Sequence, residues 1–153
     1  IKVLYYINNR GDSYMKEKSD SRSHNMSHVK GKDTSIELKV RKYLFCHGFR
    51  YRKNDRKLPG CPDIVLPKYR CVIFINGCFW HHHYNCKYAT IPKTNKEYWI
   101  PKIEKNTLRD IENYKKLEQL DYRVIIVWEC EIKSSFNARM EYLINEIKRD
   151  MNE

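Results

Sequence analysis

The sequence predicts an α/β fold, a mixed central sheet flanked by helices, and three observations carry that expectation. Two runs, Cys71 to Ile75 and Tyr122 to Trp128, are dominated by Val, Ile and aromatic residues, as strands buried on both faces are. Two boxes of the Thr-x-x-Glu type, Thr34-Ser35-Ile36-Glu37 and Thr94-Asn95-Lys96-Glu97, stand at the head of segments with helical spacing. The expected order of elements is helix, three strands, helix, strand, helix, which alternates too much for an all-α or all-β domain.

Residues 8–33 are polar and charged, with Gly11, Gly31 and many Ser and Asn, so residues 1–33 read as a flexible basic N-terminal arm. Residues 1–14 share no pattern with the rest of the chain and are expected to be a leader foreign to the native protein, with Met15 the start. Residues 34–153 are expected to form a single domain. Its first helix starts at the Thr34 box, aligns Ile36, Val40, Tyr43 and Leu44 on one face, and stops at Gly48. Phe49 to Arg52 alternates like a short strand, and Leu58-Pro59-Gly60 turns the chain. Asp63 to Leu66 and Arg70 to Ile75 then read as a hairpin joined at Pro67-Lys68. The wholly apolar second strand belongs in the middle of the sheet. Asn76 to Lys93 is irregular. The second box opens a helix expected to break near Pro101 and resume to about Gln119. Tyr122 to Trp128 is the last strand, and residues 137–150 form a helix with Met140, Leu143, Ile144 and Ile147 inward.

The chain has 153 residues and a formal charge of +11, unevenly distributed. Residues 1–60 hold 15 Lys and Arg against 6 Asp and Glu, residues 61–106 hold 7 against 3, and residues 107–153 hold 8 against 10. Such a basic front half is the footprint expected for a polyanionic partner, nucleic acid first. No run approaches the roughly 20 apolar residues of a membrane helix, and the opening Ile1 to Ile7 is too short and tyrosine-rich for a secretory core. The expected setting is cytoplasmic and reducing, so the six cysteines are read as thiols or ligands before disulfides.

Cys78, His83 and Cys86 sit in the irregular loop, and Cys130 follows a strand able to run beside Ile75. Three thiolates and one imidazole make a closed tetrahedral set for structural Zn²⁺, with no open position for water. A loop with so little apolar content needs such a staple. The alternative is a group of buried thiols and surface histidines. Cys46 and Cys71 are expected to be ordinary core thiols, and Cys61 fits either class.

Three strings carry a resemblance: Leu58-Pro59-Gly60-Cys61-Pro62-Asp63-Ile64-Val65, Tyr69-Arg70-Cys71-Val72-Ile73-Phe74, and Asn76-Gly77-Cys78-Phe79-Trp80-His81-His82-His83. Glu97-Tyr98-Trp99 and Val127-Trp128-Glu129-Cys130 extend it in the same order. Over about residues 22–132 the chain resembles the very short patch repair (Vsr) DNA mismatch endonucleases. That resemblance implies a restriction-endonuclease-like fold and a Mg²⁺-dependent enzyme nicking DNA 5′ to the thymine of a T:G mismatch. By position, Asp63 resembles the family's metal-binding aspartate, and the backbone carbonyl of Ile75 takes the place of a second Mg²⁺ ligand. His81 resembles the general base, Asp110 its orienting carboxylate, and Glu37 an acid holding metal-bound water. Cys78, His83, Cys86 and Cys130 match the structural Zn²⁺ ligands. Phe79, Trp80 and Trp99 resemble aromatics that enter the duplex beside the mismatch, and Met26 and Val29 resemble wedges from the minor groove. The implied partners are double-stranded DNA, bound by a monomer in the bacterial nucleoid, and a mismatch-repair ATPase.

The chain departs from the family in three places. Ile75-Asn76 stands where Thr-His is usual, and an asparagine has no proton to give a leaving group. The zinc loop is one residue longer, and Cys61 replaces a basic residue before Pro62-Asp63. The acid-x-lysine element of the restriction fold reads Ile75-Asn76-Gly77 here, which leaves His81 as the nearest base able to titrate near neutrality. Two other readings use the same residues: a restriction-like nuclease cutting matched DNA, and a zinc-stabilised DNA-binding module with little catalysis. Asp63 also fits a turn, Glu37 and Asp110 fit surface ion pairs, Trp80 and Trp99 fit core packing, and Trp128 is assigned to the core.

Overall fold

The structure is a computed structural model and describes residues 33–149. Helix α1 (Ser35–Cys46) starts where the first box places it: Thr34 Oγ1 accepts from the Glu37 N–H, and the Glu37 carboxylate accepts in return from the Thr34 hydroxyl and the Asp33 N–H. It ends in a Schellman turn, with Gly48 at φ +84° and the Phe49 and Gly48 N–H groups on the Leu44 and Phe45 carbonyls. Strands β1 (Arg52–Lys53), β2 (Ile64–Leu66) and β3 (Cys71–Asn76) follow, then helix α2 (Lys96–Gln119) and strand β4 (Arg123–Trp128). Helices α3 (Glu129–Ser134) and α4 (Phe136–Lys148) complete the described order.

The sheet runs β1-β2-β3-β4, antiparallel except for the parallel β3–β4 pair. It is a mixed sheet in a mixed α/β architecture. As its apolar run predicts, β3 lies inside and pairs on both edges. One face packs Ile64, Leu66, Ile73, Ile125 and Val127 against Val40 and Leu44 of α1 and Met140, Leu143 and Ile147 of α4. The opposite face sets Val65, Val72 and Phe74 against Leu117 and Tyr114 of α2. Period-two alternation along β3 thus aims Phe74 and Asn76 at α2, which decides what the functional edge of the sheet contains.

Four expectations fail, each for a local reason. The strand expected at Phe49 to Arg52 begins only at Arg52, because the Phe49 N–H is committed to stopping α1. Helix α2 runs through Pro101 unbroken, since the ring removes one bond near the start of a 24-residue helix. The second box does not set the helix start: Asn95, not Thr94, is the N-cap, in left-handed conformation and without a side-chain cap of its own. The expected order passes straight from the last strand to the last helix, whereas Glu129-Cys130 opens a short helix, α3, between them. Of the thiols assigned to the core, Cys71 is there and Cys46 is exposed on α1. The arm, with Met26 and Val29, lies outside the described residues. Among the described residues no helix is long and apolar enough to cross a membrane.

Candidate active site and metal centre

Asp63 precedes β2 at the rim of the sheet, and its Oδ2 accepts from the Ile75 N–H at 2.7 Å. One hydrogen bond therefore brings together the carboxylate and the backbone singled out by sequence. A strand residue presents its N–H and C=O to the same edge, so the Ile75 carbonyl opens toward Asp63 as well. Burial pushes the Asp63 carboxyl up to about 6, against the Ile75 hydrogen bond, and the neighbouring Glu37 carboxylate pushes it the same way. A crowded carboxylate of this kind is the environment a divalent cation relieves.

A buried arginine holds this edge from behind. Arg41 donates to the Asp63 carbonyl (3.0 Å), Asn54 Oδ1 (3.1 Å), Glu37 Oε2 (3.1 Å) and Asp33 Oδ1 (2.5 Å). It ties α1 and the β1 turn to the start of β2. Glu37 is buried with it. Three donors occupy the Glu37 carboxylate, of which Oε1 takes only the Thr34 hydroxyl.

The raised Asp63 pKa has a stability consequence. An acid raised from its ordinary 3.8 to about 6 favours folding while protonated, and that contribution is lost as pH rises through about 6. Above that pH, ionised Asp63 costs the cation-free protein on the order of 3 kcal/mol. Asp63→Asn, with no divalent cation added, is expected to be more stable than the parent at pH 7.5. The gain should shrink steadily toward pH 5, as urea unfolding of both proteins will show. A gain independent of pH contradicts the assignment.

On the α2 side of the same rim, His81 Nδ1 meets Asp110 Oδ2 at 2.5 Å, and Arg109 reaches Asp110 Oδ1 at 3.3 Å. A carboxylate on Nδ1 fixes the ring and leaves Nε2 as the nitrogen available for proton transfer. His81 is near enough to Asp63 to favour its ionised form. The loop that presents His81 is held by His81 N–H on the Gly77 carbonyl and by Asn106 Nδ2 on the Trp80 carbonyl. Asn76 is buried and donates from Nδ2 to Tyr114 Oη at 3.0 Å. His82 is exposed.

The four expected ligands of the second metal also converge. One ligand atom each from Cys78, His83, Cys86 and Cys130 lies within 4.8 Å of every other. His83 Nδ1 is 3.7 Å from Cys78 Sγ and 3.2 Å from Cys130 Sγ. Zn–S and Zn–N bonds arranged tetrahedrally require separations of about 3.5–3.8 Å, so small adjustments in both directions fit the group to that ion. The parallel pairing of Asn76 with Trp128 explains the convergence, since Cys78 and Cys130 each lie two residues further on. Burial pushes the Cys78 thiol up to about 12 and the Cys130 thiol upward, and lowers the His83 pKa. Thiols so placed ionise readily only beside a cation. Trp128 is not a core residue: it is half-buried and stacks on His83 with centroids 4.1 Å apart and planes 5° from parallel.

Phe79, Trp80 and Trp99 form one aromatic cluster, with centroid separations of 5.2, 5.3 and 6.0 Å, and Tyr98 joins Trp99 at 5.0 Å. These rings are half-buried or exposed, outside the two hydrophobic cores. Lys102 Nζ lies 4.9–5.7 Å from the Tyr98, Trp80 and Trp99 centroids and donates to Tyr98 Oη. Sequence reasoning assigned no role to Arg41, Tyr114 or Lys102. The spacing of Glu37 and Arg41, one helical turn apart, was the one available signal.

Residues 12–87 match the family model described as DNA mismatch endonuclease Vsr. The chain is 48% identical over 132 residues to the type II nicking enzyme V.NmeAIP of Neisseria meningitidis serogroup A, covering 85% of this chain and 94% of that one. It is 45% identical over 128 residues to the DNA mismatch endonuclease Vsr of Escherichia coli K12, covering 84% and 81%. With the type II nicking enzyme V.XorIIP of Xanthomonas oryzae pv. oryzae the identity is 39%, covering 82% and 93%. The chain belongs to the Vsr family of DNA mismatch endonucleases, and its class is that of a DNA-nicking endonuclease.

Proposed function

We propose that this protein nicks one DNA strand 5′ to the thymine of a T:G mismatch by Mg²⁺-dependent hydrolysis, on a restriction-endonuclease-like fold stapled by a structural Zn²⁺. The observation that carries this reading is the meeting, at one sheet rim, of the Asp63–Ile75 pair and the His81–Asp110 pair. The thiolate-rich group is separate in its ligands. Hard Mg²⁺ prefers a carboxylate and a carbonyl to sulfur, which assigns it to Asp63 and Ile75 and assigns zinc to Cys78, His83, Cys86 and Cys130. Bound there, Mg²⁺ would neutralise charge developing on the phosphate oxygens. His81 Nε2 takes the proton of the attacking water, and Asp110 stabilises the imidazolium that results. Glu37 is assigned the metal-bound water, and the lone pair that Oε1 keeps beyond its Thr34 bond supports that role.

Mismatch selection follows from the aromatic cluster. A T:G wobble stacks weakly, so opening the step beside it costs less than at a matched pair, where unstacking takes about a few kcal/mol. Phe79, Trp80 and Trp99 restore part of that cost by stacking, Lys102 supplies a cation beside them, and Met26 and Val29 are assigned, by resemblance to the family, as wedges from the minor groove. The test is a set of duplexes with randomised flanks carrying T:G or matched T:A at one position, incubated with enzyme and Mg²⁺. Nicking confined to the T strand of T:G duplexes is expected. Equal cutting of matched duplexes favours the restriction-like reading, and binding without cutting favours a DNA-binding module.

A further inference from the structure

Helix α2 carries two polar side chains toward the sheet rim, Asp110 and, one turn later, Tyr114. Asp110 holds the base His81. We propose that Tyr114 is a further catalytic residue, whose hydroxyl hydrogen-bonds the departing deoxyribose oxygen and gives it a proton as the P–O bond breaks. This rests on the assignment of the reaction centre to Asp63 and His81.

The geometry supplies the reasons. Asn76 Nδ2 donates to Tyr114 Oη at 3.0 Å, so the phenol accepts from Asn76 and its own proton is directed elsewhere. Among the described residues no hydrogen bond uses that proton as donor. The ring is fixed by Phe74 at 5.1 Å and by the Val65, Val72 and Leu117 cluster, so the hydroxyl has a set position. Asn76 is buried and follows Ile75 directly, so the hydroxyl is bonded to the residue next to the Asp63–Ile75 pair. Burial, then Asp110 and Asp63, push the Tyr114 pKa up to about 12, with the Asn76 bond acting against them. Both halves of the site are therefore felt at that oxygen, which keeps its proton at neutral pH. It is still more acidic than water at about 15.7, as a donor to an alkoxide must be.

In-line displacement also demands a second group. The attacking and leaving oxygens lie on opposite sides of phosphorus, so a base that takes the water proton is on the wrong side to protonate the product. His81 is engaged as that base, and the Asn76 amide releases no proton. In the step proposed, the water oxygen bonds to phosphorus and its proton goes to His81 Nε2. The P–O electron pair leaves with the sugar oxygen, which takes the Tyr114 proton, and the tyrosinate then recovers one from solvent.

Tyr114→Phe tests this on two T:G duplexes, one natural and one with sulfur in the departing bridging position, since a thiolate leaves without protonation. The variant should stay folded with the parent's zinc content and duplex affinity, its Tm lowered by about a few degrees because buried Asn76 loses its acceptor. Single-turnover nicking of the natural linkage should fall about 100-fold or more, with little or no loss on the sulfur linkage. Equal losses on both substrates, or none on either, overturn the proposal. Asp63→Ala run alongside separates the role of Tyr114 from the location of the centre: nicking that survives it defeats the assignment of the centre itself. An inactive Asp63→Ala together with a parent-like Tyr114→Phe defeats only the role of Tyr114.

Discussion

His81→Ala is expected to lower the single-turnover nicking rate by about 10²–10⁴-fold, the usual worth of a positioned general base, while the affinity for T:G duplex stays near that of the parent. The first half follows from His81 being the titratable group tied to Asp110 beside Asp63. The second follows from what the imidazole does not touch. The aromatic cluster of Phe79, Trp80 and Trp99 is assembled by ring contacts among its own members. The Trp80 carbonyl is held by Asn106, and neither contact involves the His81 ring. Removing the ring leaves Asp110 with its Arg109 contact, so the carboxylate is not stranded. Nicking rate and fluorescence-anisotropy binding, measured on one mismatched duplex, make the check. Lost binding would make His81 a DNA contact instead of the base.

Cys86→Ser is expected to act on folding before it acts on chemistry. A serine hydroxyl is a hard, neutral donor and replaces a thiolate poorly in a set of three sulfurs and one imidazole. Structural zinc contributes about 10–16 kcal/mol in zinc-finger peptides, against a total domain stability of about 5–15 kcal/mol. Losing even part of that coordination removes several kcal/mol. The segment from Cys78 to Ala89 also presents Phe79, Trp80 and His81, so its release disperses the aromatic cluster and the His81–Asp110 pair together. Zinc content by mass spectrometry of the native protein and urea unfolding should fall in parallel. A variant that is metal-free and as stable as the parent rules out zinc as the staple of this loop.

Much of the fold and site was legible in the sequence because it depended on local rules. The central place of β3 follows from five successive apolar residues, and the start of α1 from a box whose hydrogen bonds form as written. The convergence of Cys78, His83, Cys86 and Cys130 was legible because metal sites demand particular atoms at close range, which chain spacing restricts. The second box shows the limit. Thr94-Asn95-Lys96-Glu97 has the right letters, yet Asn95 in left-handed conformation starts the helix and Thr94 falls one residue early. Pro101 misled in the opposite direction, since position within the helix decides how much a missing N–H costs. Tyr114 and Arg41 were invisible because their roles arise from packing between distant elements. Tyr114 meets Asn76 across 38 residues, and Arg41 reaches the Asp63 carbonyl across 22.

The claim on which the rest depends is that the Asp63 carboxylate holds the cation that makes the site a nuclease. Strand-specific nicking of a T:G duplex as a function of Mg²⁺ concentration, by the parent and by Asp63→Ala at matched bound fraction, addresses it directly. Saturable Mg²⁺ dependence is expected in the parent, no nicking above background in the variant at any concentration, and unchanged zinc content in both. Nicking by Asp63→Ala with the parent's Mg²⁺ dependence would contradict it.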